Sequence, residues 1–301
     1  MQFLYLLEKI RFPLLDEFML LITQLGEETA FLAAALIVFW CVDKNRGYYL
    51  MAVGFVGTIF NQFLKLLCRV PRPWVLDPQF QPVEGSVEAA TGYSFPSGHS
   101  QSSVGTFGVL ARTSKQKALR AVFLAIAILV PFSRMYLGVH TPADVLVGSL
   151  CAIVLIFGLG FVQDGKWLKP MLFGMSAIAL LFLVFVQFVL DPAALDAHNY
   201  ASGLKNAYTL LGSIFGILVV YFVDEKWVHF EVKAIWWAQL IKIAGGIGLV
   251  LLVKGGLKTP LTAIFGEYPG RAVRYFLIVL VAGVVWPLTF RWFARLGKKD
   301  K

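Results

Sequence analysis

Three short stretches of this chain carry residues suited to phosphate chemistry: Lys65 with Arg72-Pro73, then Pro96-Ser97-Gly98-His99, then Ser133-Arg134 followed by His140 and Asp144. Lys65, Arg72 and Arg134 are cations able to neutralise phosphate oxygens, and arginine does so through paired donors in a fixed fork. Two histidines and a carboxylate add what a covalent route needs, namely an imidazole to attack phosphorus, a second to move protons, and an acid to orient the first. Phosphoryl transfer otherwise asks for little beyond positioning and charge neutralisation on three oxygens.

Each stretch also has a purely structural reading. Lys65 at the end of an apolar run can snorkel to the interface, and Arg69 and Arg72 can bind lipid headgroups. Ser97 can simply cap the helix that begins beside it, although free amides at a helix start, with Gly98 admitting an oxygen to the backbone, also make an anion site. His99 on that first turn is placed to protonate a departing oxygen. Thr141-Pro142-Ala143-Asp144 has the form of a helix start with a capping-box-like pair. Capping accounts for Asp144 but leaves Arg134 and His140 unexplained. Four residues ahead of Asp144, His140 can be held by the carboxylate through one ring nitrogen while the other attacks phosphorus.

The elements that must position these groups are membrane helices. Of 301 residues, 58% are hydrophobic and only 15% charged, which excludes an ordinary soluble domain. Apolar stretches near 47–67, 118–132, 145–161, 171–190, 207–223, 235–253 and 275–293 approach the roughly 20 residues that cross a bilayer. Shorter or more polar ones lie at 27–42 and 98–111, for about nine spans in an all-α, polytopic transmembrane bundle. Residues 1–163 hold every motif and read as an N-terminal helix plus a catalytic core; residues 164–301 read as additional spans. Met1 to about Leu25, interrupted by Lys9, Arg11, Asp16 and Glu17, reads as an interfacial or re-entrant helix without the form of a cleavable signal.

The net charge of +9 is spread along a hydrophobic chain and forms no nucleic-acid module. It follows membrane orientation instead: Lys44 and Arg46, the 112–120 cluster, Lys166 and Lys169, Lys226 and Lys233, and the tail from Arg291 to Lys301 fall in alternate loops, assigned to the cytoplasm. The motif-bearing loops then face the non-cytoplasmic side of a cell membrane. Cys41, Cys68 and Cys151 suit neither disulfides nor metal spacing and read as core residues, and the four histidines show no metal pair. No metal and no cofactor are expected. Arg271 and Arg274 on the motif side either anchor their span or bind a second phosphate.

Taken together, the three blocks resemble the type 2 phosphatidic acid phosphatase (PAP2) superfamily, over about residues 47–162. The extended C-terminal half is similar to the glucose-6-phosphatase and sphingosine-phosphate phosphatase branches. The resemblance implies a helical core and a metal-independent phosphatase acting on a lipid phosphate or diphosphate, through a phosphohistidine. It implies Lys65, Arg72 and Arg134 as phosphate ligands assisted by Ser97 and Gly98, His140 as nucleophile, Asp144 as its orienting acid and His99 as acid and then base. A site at the membrane interface suits an amphiphile such as phosphatidic acid, a sphingoid phosphate or a polyprenyl diphosphate. A lipid phosphotransferase would use the same intermediate. A lipid transporter is the non-enzymatic alternative and would survive loss of His140.

Overall fold

The computed structural model describes residues 1–88 and 90–296, so the last basic residues of the tail lie outside the described residues. The described chain is helical without strands. Its elements are α1 (Gln2–Glu8), α2 (Pro13–Gln24), α3 (Glu28–Cys41), α4 (Lys44–Cys68), α5 (Pro73–Leu76), α6 (Gly98–Thr113), α7 (Lys117–Tyr136) and α8 (Pro142–Gly158). There follow α9 (Leu168–Val184), α10 (Ala197–Val223), α11 (Trp236–Gly256), α12 (Lys258–Phe265), α13 (Glu267–Leu280) and α14 (Phe290–Arg295).

Seven helical segments are long and apolar enough to cross a membrane, and α2 with α3, bent by 49°, makes an eighth as a broken span or re-entrant loop. The ninth expected span corresponds to α6, whose 16 residues fall short of the bilayer's requirement of roughly 20. The interval between the apolar stretches 235–253 and 275–293 contains α12, and α10 begins at Ala197, ten residues before the stretch at 207–223. The thiols are free and not core: Cys41 and Cys151 are half-buried and Cys68 is exposed at the end of α4.

The chain forms two compact units: residues Met1–Leu32, Tyr49–Phe161 and Leu195–Ser202 make the first, and Ala33–Tyr48, Val162–Ala194 and Gly203–Lys301 the second. In the first, α6 packs against both α7 and α8. The face of α6 is built for this, with Ser100, Ser103, Val104, Gly105, Thr106 and Phe107 all buried. Small residues let helices approach closely where no hydrophobic force separates protein from lipid. A Cβ at Gly108 would lie 2.5 Å from Ile156 Cδ1 of α8. Beneath the motifs, Met19 of α2, Val83 and Ala90 of the long loop, and Tyr136, Leu137 and Val139 at the end of α7 form one apolar cluster.

The second unit is held by polar anchors suited to a medium without water. Lys242 of α11 is fully buried and donates to the carbonyls of Trp40 at 2.8 Å and Val232 at 3.0 Å, with the Phe290 ring 4.1 Å away. Asp224 pairs with Lys44 at 2.5 Å and accepts from the Phe230 amide at 3.1 Å. Each charge thus meets groups that replace its hydration.

Candidate active site

Local structure brings the motif residues to one end of the α4, α6, α7 and α8 bundle. α4 ends with Lys65 in its last turn, and Arg69 then takes a left-handed conformation (φ 53°) that turns the chain toward Pro71 and Pro73. α6 begins after Ser97, whose Oγ accepts from the Ser100 amide at 3.3 Å and from the Ser100 hydroxyl at 2.9 Å. α8 starts with Thr141, Pro142 and a reciprocal capping box closed by Asp144. Between α7 and α8 the chain reverses at Gly138 (φ 78°), where a Cβ would also lie 2.8 Å from the Phe80 ring. Only glycine meets both demands.

His140 is buried at this junction with Asp144, and the two are linked on one helical turn, Nδ1 lying 3.4 Å from Asp144 Oδ2. That oxygen also accepts from Ser94 Oγ at 2.6 Å and from the Thr141 amide at 2.8 Å. Ser94 Oγ itself lies 3.4 Å from His140 Nδ1. On the opposite edge of the ring, Nε2 is 2.9 Å from Arg72 Nη1. A guanidinium can only donate, so Nε2 carries the lone pair and the ring proton sits on Nδ1, facing the carboxylate. Capping and orientation therefore share one carboxylate, and the two readings of Asp144 are not alternatives.

Arg72 and Lys65 also fix the loop that carries Ser94. Arg72 donates to the carbonyls of Gly92 at 3.0 Å, Thr91 at 2.7 Å and Val139 at 2.9 Å. Lys65 Nζ donates to the carbonyls of Tyr93 and Ser94. The Ser97 amide donates to the Asp144 carbonyl at 2.9 Å, which ties the start of α6 to the start of α8. Burial holds the His140 imidazole well below its ordinary value of 6.5, and the charges of Arg72, Arg134 and Lys65, with His99, push it the same way. Ser133 turns its hydroxyl back to the Val130 carbonyl at 2.7 Å inside α7.

Several buried polar atoms here have no hydrogen-bond partner: Arg134 Nε and Nη2, His99 Nε2, Gln101 Nε2 and Asn61 Oδ1. An unmade buried hydrogen bond costs about 1–3 kcal/mol, so these unpaired groups, nitrogens apart from the Asn61 acceptor, serve something other than stability. Gly98 needs neither positive φ nor a tight fit, since a Cβ there would meet only Asn61 Oδ1 at 3.5 Å. Gly148 of α8 is different: its Cβ would lie 2.5 Å from the Ser97 carbonyl oxygen and 3.3 Å from that carbonyl carbon. Backbone cannot swing aside as a side chain can. Gly148→Ala is therefore expected to shift the start of α6 and lower kcat/KM by about 10- to 100-fold, whereas Gly158→Ala, open on all sides within 4 Å, should leave it unchanged. Steady-state kinetics of the two variants check this.

Some residues at the site have no counterpart in the motifs. Ser94 precedes the second motif by two residues and binds both His140 and Asp144. Asn61, one turn before Lys65 on α4, donates to the Pro96 carbonyl at 3.3 Å. Thr23 of α2 accepts from Arg134 Nη1 at 2.7 Å, and Gly26 packs against His99, where a Cβ would sit 3.1 Å from the His99 Cβ. Arg11 donates to the carbonyls of Tyr136 at 3.1 Å and Gln81 at 2.6 Å, while the Tyr136 hydroxyl donates to Asp16 at 2.7 Å. The N-terminal segment is thus part of the site's frame. Its one usable signal is Thr23, which with Gln24 interrupts the apolar run between Ile22 and Leu25.

Residues 45–166 match the PAP2 superfamily and residues 208–299 match the PAP2 superfamily phosphatase, transmembrane extension. Phosphatidylglycerophosphatase B of Bacillus subtilis (strain 168) is 33% identical over 162 residues, covering 49% of this chain and 75% of that protein. Undecaprenyl-diphosphatase BcrC of the same organism is 32% identical over 163 residues, 52% of this chain and 78% of its own. A probable sphingosine-1-phosphate phosphatase of Dictyostelium discoideum is 30% identical over 199 residues, 58% of this chain and 48% of its own. A crystal structure of a transmembrane PAP2-type phosphatidylglycerolphosphate phosphatase from Bacillus subtilis, 27% identical, aligns over 55% of this chain and 84% of its own with a TM-score of 0.47. The two family matches, with the phosphatidylglycerophosphatase B and BcrC relatives each covered across about three quarters of its length, lead to one assignment: the chain belongs to the PAP2 superfamily and is a multi-pass membrane phosphatase.

Proposed function

We propose that this phosphatase hydrolyses a lipid phosphate or diphosphate through a phosphohistidine on His140, without a metal ion. The observation that carries the reading is the position of the His140 ring between Asp144 on Nδ1 and a cation on Nε2. The phosphate enters among Lys65, Arg72 and Arg134, with the Ser97 hydroxyl and the Gly98 amide completing the cradle at the start of α6. Glycine at 98, required by neither packing nor φ, admits an oxygen to that amide.

In the first step Arg72 turns its Nη1 from Nε2 to a phosphate oxygen, the freed Nε2 lone pair attacks phosphorus, the P–N bond forms, and the bond to the leaving oxygen breaks as His99 gives that oxygen a proton. Asp144 stabilises the positive charge that grows on the ring. In the second step His99 takes a proton from water, the resulting oxygen attacks phosphorus, and the P–N bond breaks to release inorganic phosphate. Three fixed cations supply the charge neutralisation that a metal ion provides elsewhere, so chelation should not reduce turnover.

The relatives act on phosphatidylglycerophosphate, undecaprenyl diphosphate and sphingosine-1-phosphate by their names, and an amphiphile of that kind suits this chain. Its phosphate lies at headgroup depth while its tail stays in lipid. Alternating basic loops favour a cell membrane with the site on the non-cytoplasmic side.

The test is phosphate release by the purified protein from a panel of lipid and sugar phosphates, with chelator present, across pH. Lipid substrates should turn over fastest and chelator should have no effect. His140 must be neutral to attack, and its depressed value means that protonation blocks it only well below pH 6.5. The acid limb of kcat/KM should lie there, and because burial and the charges of Arg134, Arg72 and Lys65 hold His99 well below its ordinary value too, the profile should already be falling by neutral pH as His99 loses its proton. A bound phosphate dianion offsets the surrounding cations, so the acid limb of kcat should sit at higher pH than that of kcat/KM. A flat profile from pH 4 to 10, or loss of activity with chelator, contradicts the reading.

A further inference from the structure

Arg271 and Arg274 stand one turn apart on α13, in the second unit, and nothing above uses them. Arg274 is only 7% exposed, and its Nε has no hydrogen-bond partner. Among the described residues neither arginine forms an ion pair. The acid nearest in sequence, Glu267, pairs with Lys205 at 3.2 Å. Arg271 Nε donates to Thr209 Oγ1 of α10 at 2.6 Å. Both guanidinium carbons lie over the same Tyr275 ring, at 5.4 Å and 5.3 Å from its centroid. Both guanidinium groups thus flank one ring.

An arginine on a membrane-spanning segment is ordinarily stabilised by snorkelling its head into the interface or by pairing with an acid. Burial of Arg274 rules out the first and the lack of an ion pair rules out the second. Nor does the helix have room to roll the pair outward. A side chain at Gly212 of α10 would strike the Ala272 carbonyl, and one at Gly216 would lie 2.8 Å from Val279 Cβ. The α10–α13 contact is backbone-close on both sides of Arg274. Thr209, whose hydroxyl donates to the Lys205 carbonyl at 2.7 Å, holds Arg271 in place, and two arginine forks match a tetrahedral oxyanion better than a carboxylate, because three oxygens can each take donors.

We propose that Arg271, held by Thr209, and Arg274 form a second anion site in the C-terminal unit that takes a phosphate group. The span Glu267–Arg295 places this cradle on a membrane helix, where the phosphate is carried by an anionic phospholipid; a free phosphate ion is the other source of the same chemistry. The site goes beyond the hydrolytic reading and does not depend on it.

The test uses the full chain carrying His140→Ala, so that no lipid is consumed, delipidated in neutral detergent. Thermal unfolding is followed with phosphatidylglycerol, with phosphatidylcholine and with inorganic phosphate, in that background and with Arg274→Met added. Phosphatidylglycerol should raise the midpoint, and Arg274→Met should weaken its apparent affinity by about tenfold or more. The lipid-free midpoint of Arg274→Met should be equal or higher, because an uncompensated buried charge has been replaced by an apolar chain. Phosphatidylcholine should give no such difference between the two proteins. An equal response to inorganic phosphate assigns the site to the free ion, and no response to it assigns the site to the lipid; both uphold an anion site. A lower lipid-free midpoint with the lipid response intact makes Arg274 a structural residue and overturns the proposal, as does a variant indistinguishable from its parent. Should Arg274→Met fail to fold, Arg271→Gln in the same assay carries the same expectation of weakened phosphatidylglycerol response, and an unchanged response overturns the proposal.

Discussion

Replacing His140 by alanine is expected to lower kcat by about four orders of magnitude or more while leaving the protein folded. The imidazole is the only group on this reading that forms a bond to phosphorus, so its loss removes the chemical route instead of weakening a contact. Structure predicts the second half of the result as well. Asp144 keeps its bonds from Ser94 at 2.6 Å and from the Thr141 amide at 2.8 Å without the ring, and the capping box that starts α8 is untouched. The midpoint of thermal unfolding should therefore move by only a few degrees. Phosphate release and unfolding curves on the same preparation check both. A transporter built on this bundle would keep moving lipid in the variant, so a lipid translocation assay separates that alternative.

The second large effect concerns Arg134. Arg134→Lys retains a cation but loses the planar fork, and a drop in kcat/KM of about 100- to 1000-fold is expected, in the range of removing one donor from a preorganised oxyanion site. Arg134→Gln removes the charge too and should be at least as severe. The reason is geometric. Nη1 is held by Thr23, while Nε and Nη2 are buried and unpaired, so the fork is aimed and rigid before substrate arrives. An ammonium on a flexible stem reproduces neither the aim nor the paired donors. Thr23→Val, which frees the fork without removing it, should fall between wild type and Arg134→Lys in the same kinetic assay, chiefly through kcat.

Much of the site was legible because its chemistry is concentrated in residues that are costly in a membrane. A buried Lys65, Arg72, Arg134 or Asp144 has no place in an apolar helix without a partner, and the spacing from Arg134 to His140 and Asp144 put nucleophile and acid on one turn. Polar residues with ordinary local alternatives were not legible. Ser94 and Asn61 look like any loop serine and helix asparagine, and only the tertiary fold shows Ser94 shared between His140 and Asp144. The N-terminal helices were hardest, because charges at Lys9, Arg11, Asp16 and Glu17 suggested an interfacial segment. Arg11 and Asp16 also reach the end of α7 and the loop beside it, contacts that no local pattern announces. Span count was blurred for a related reason. α6 is a short helix packed along its serine and glycine face, so protein contact replaces the apolar length that hydropathy looks for.

The account rests most directly on a covalent bond between His140 and phosphorus. Rapid acid-free quenching of a single turnover, followed by mass analysis of the proteolysed protein, should find an acid-labile, alkali-stable phosphoryl group on the peptide bearing His140, forming more slowly and persisting longer in His99→Ala, where neither the leaving oxygen is protonated nor water activated. Full turnover with no such adduct, and with the phosphoryl oxygens showing direct attack by water, would contradict it.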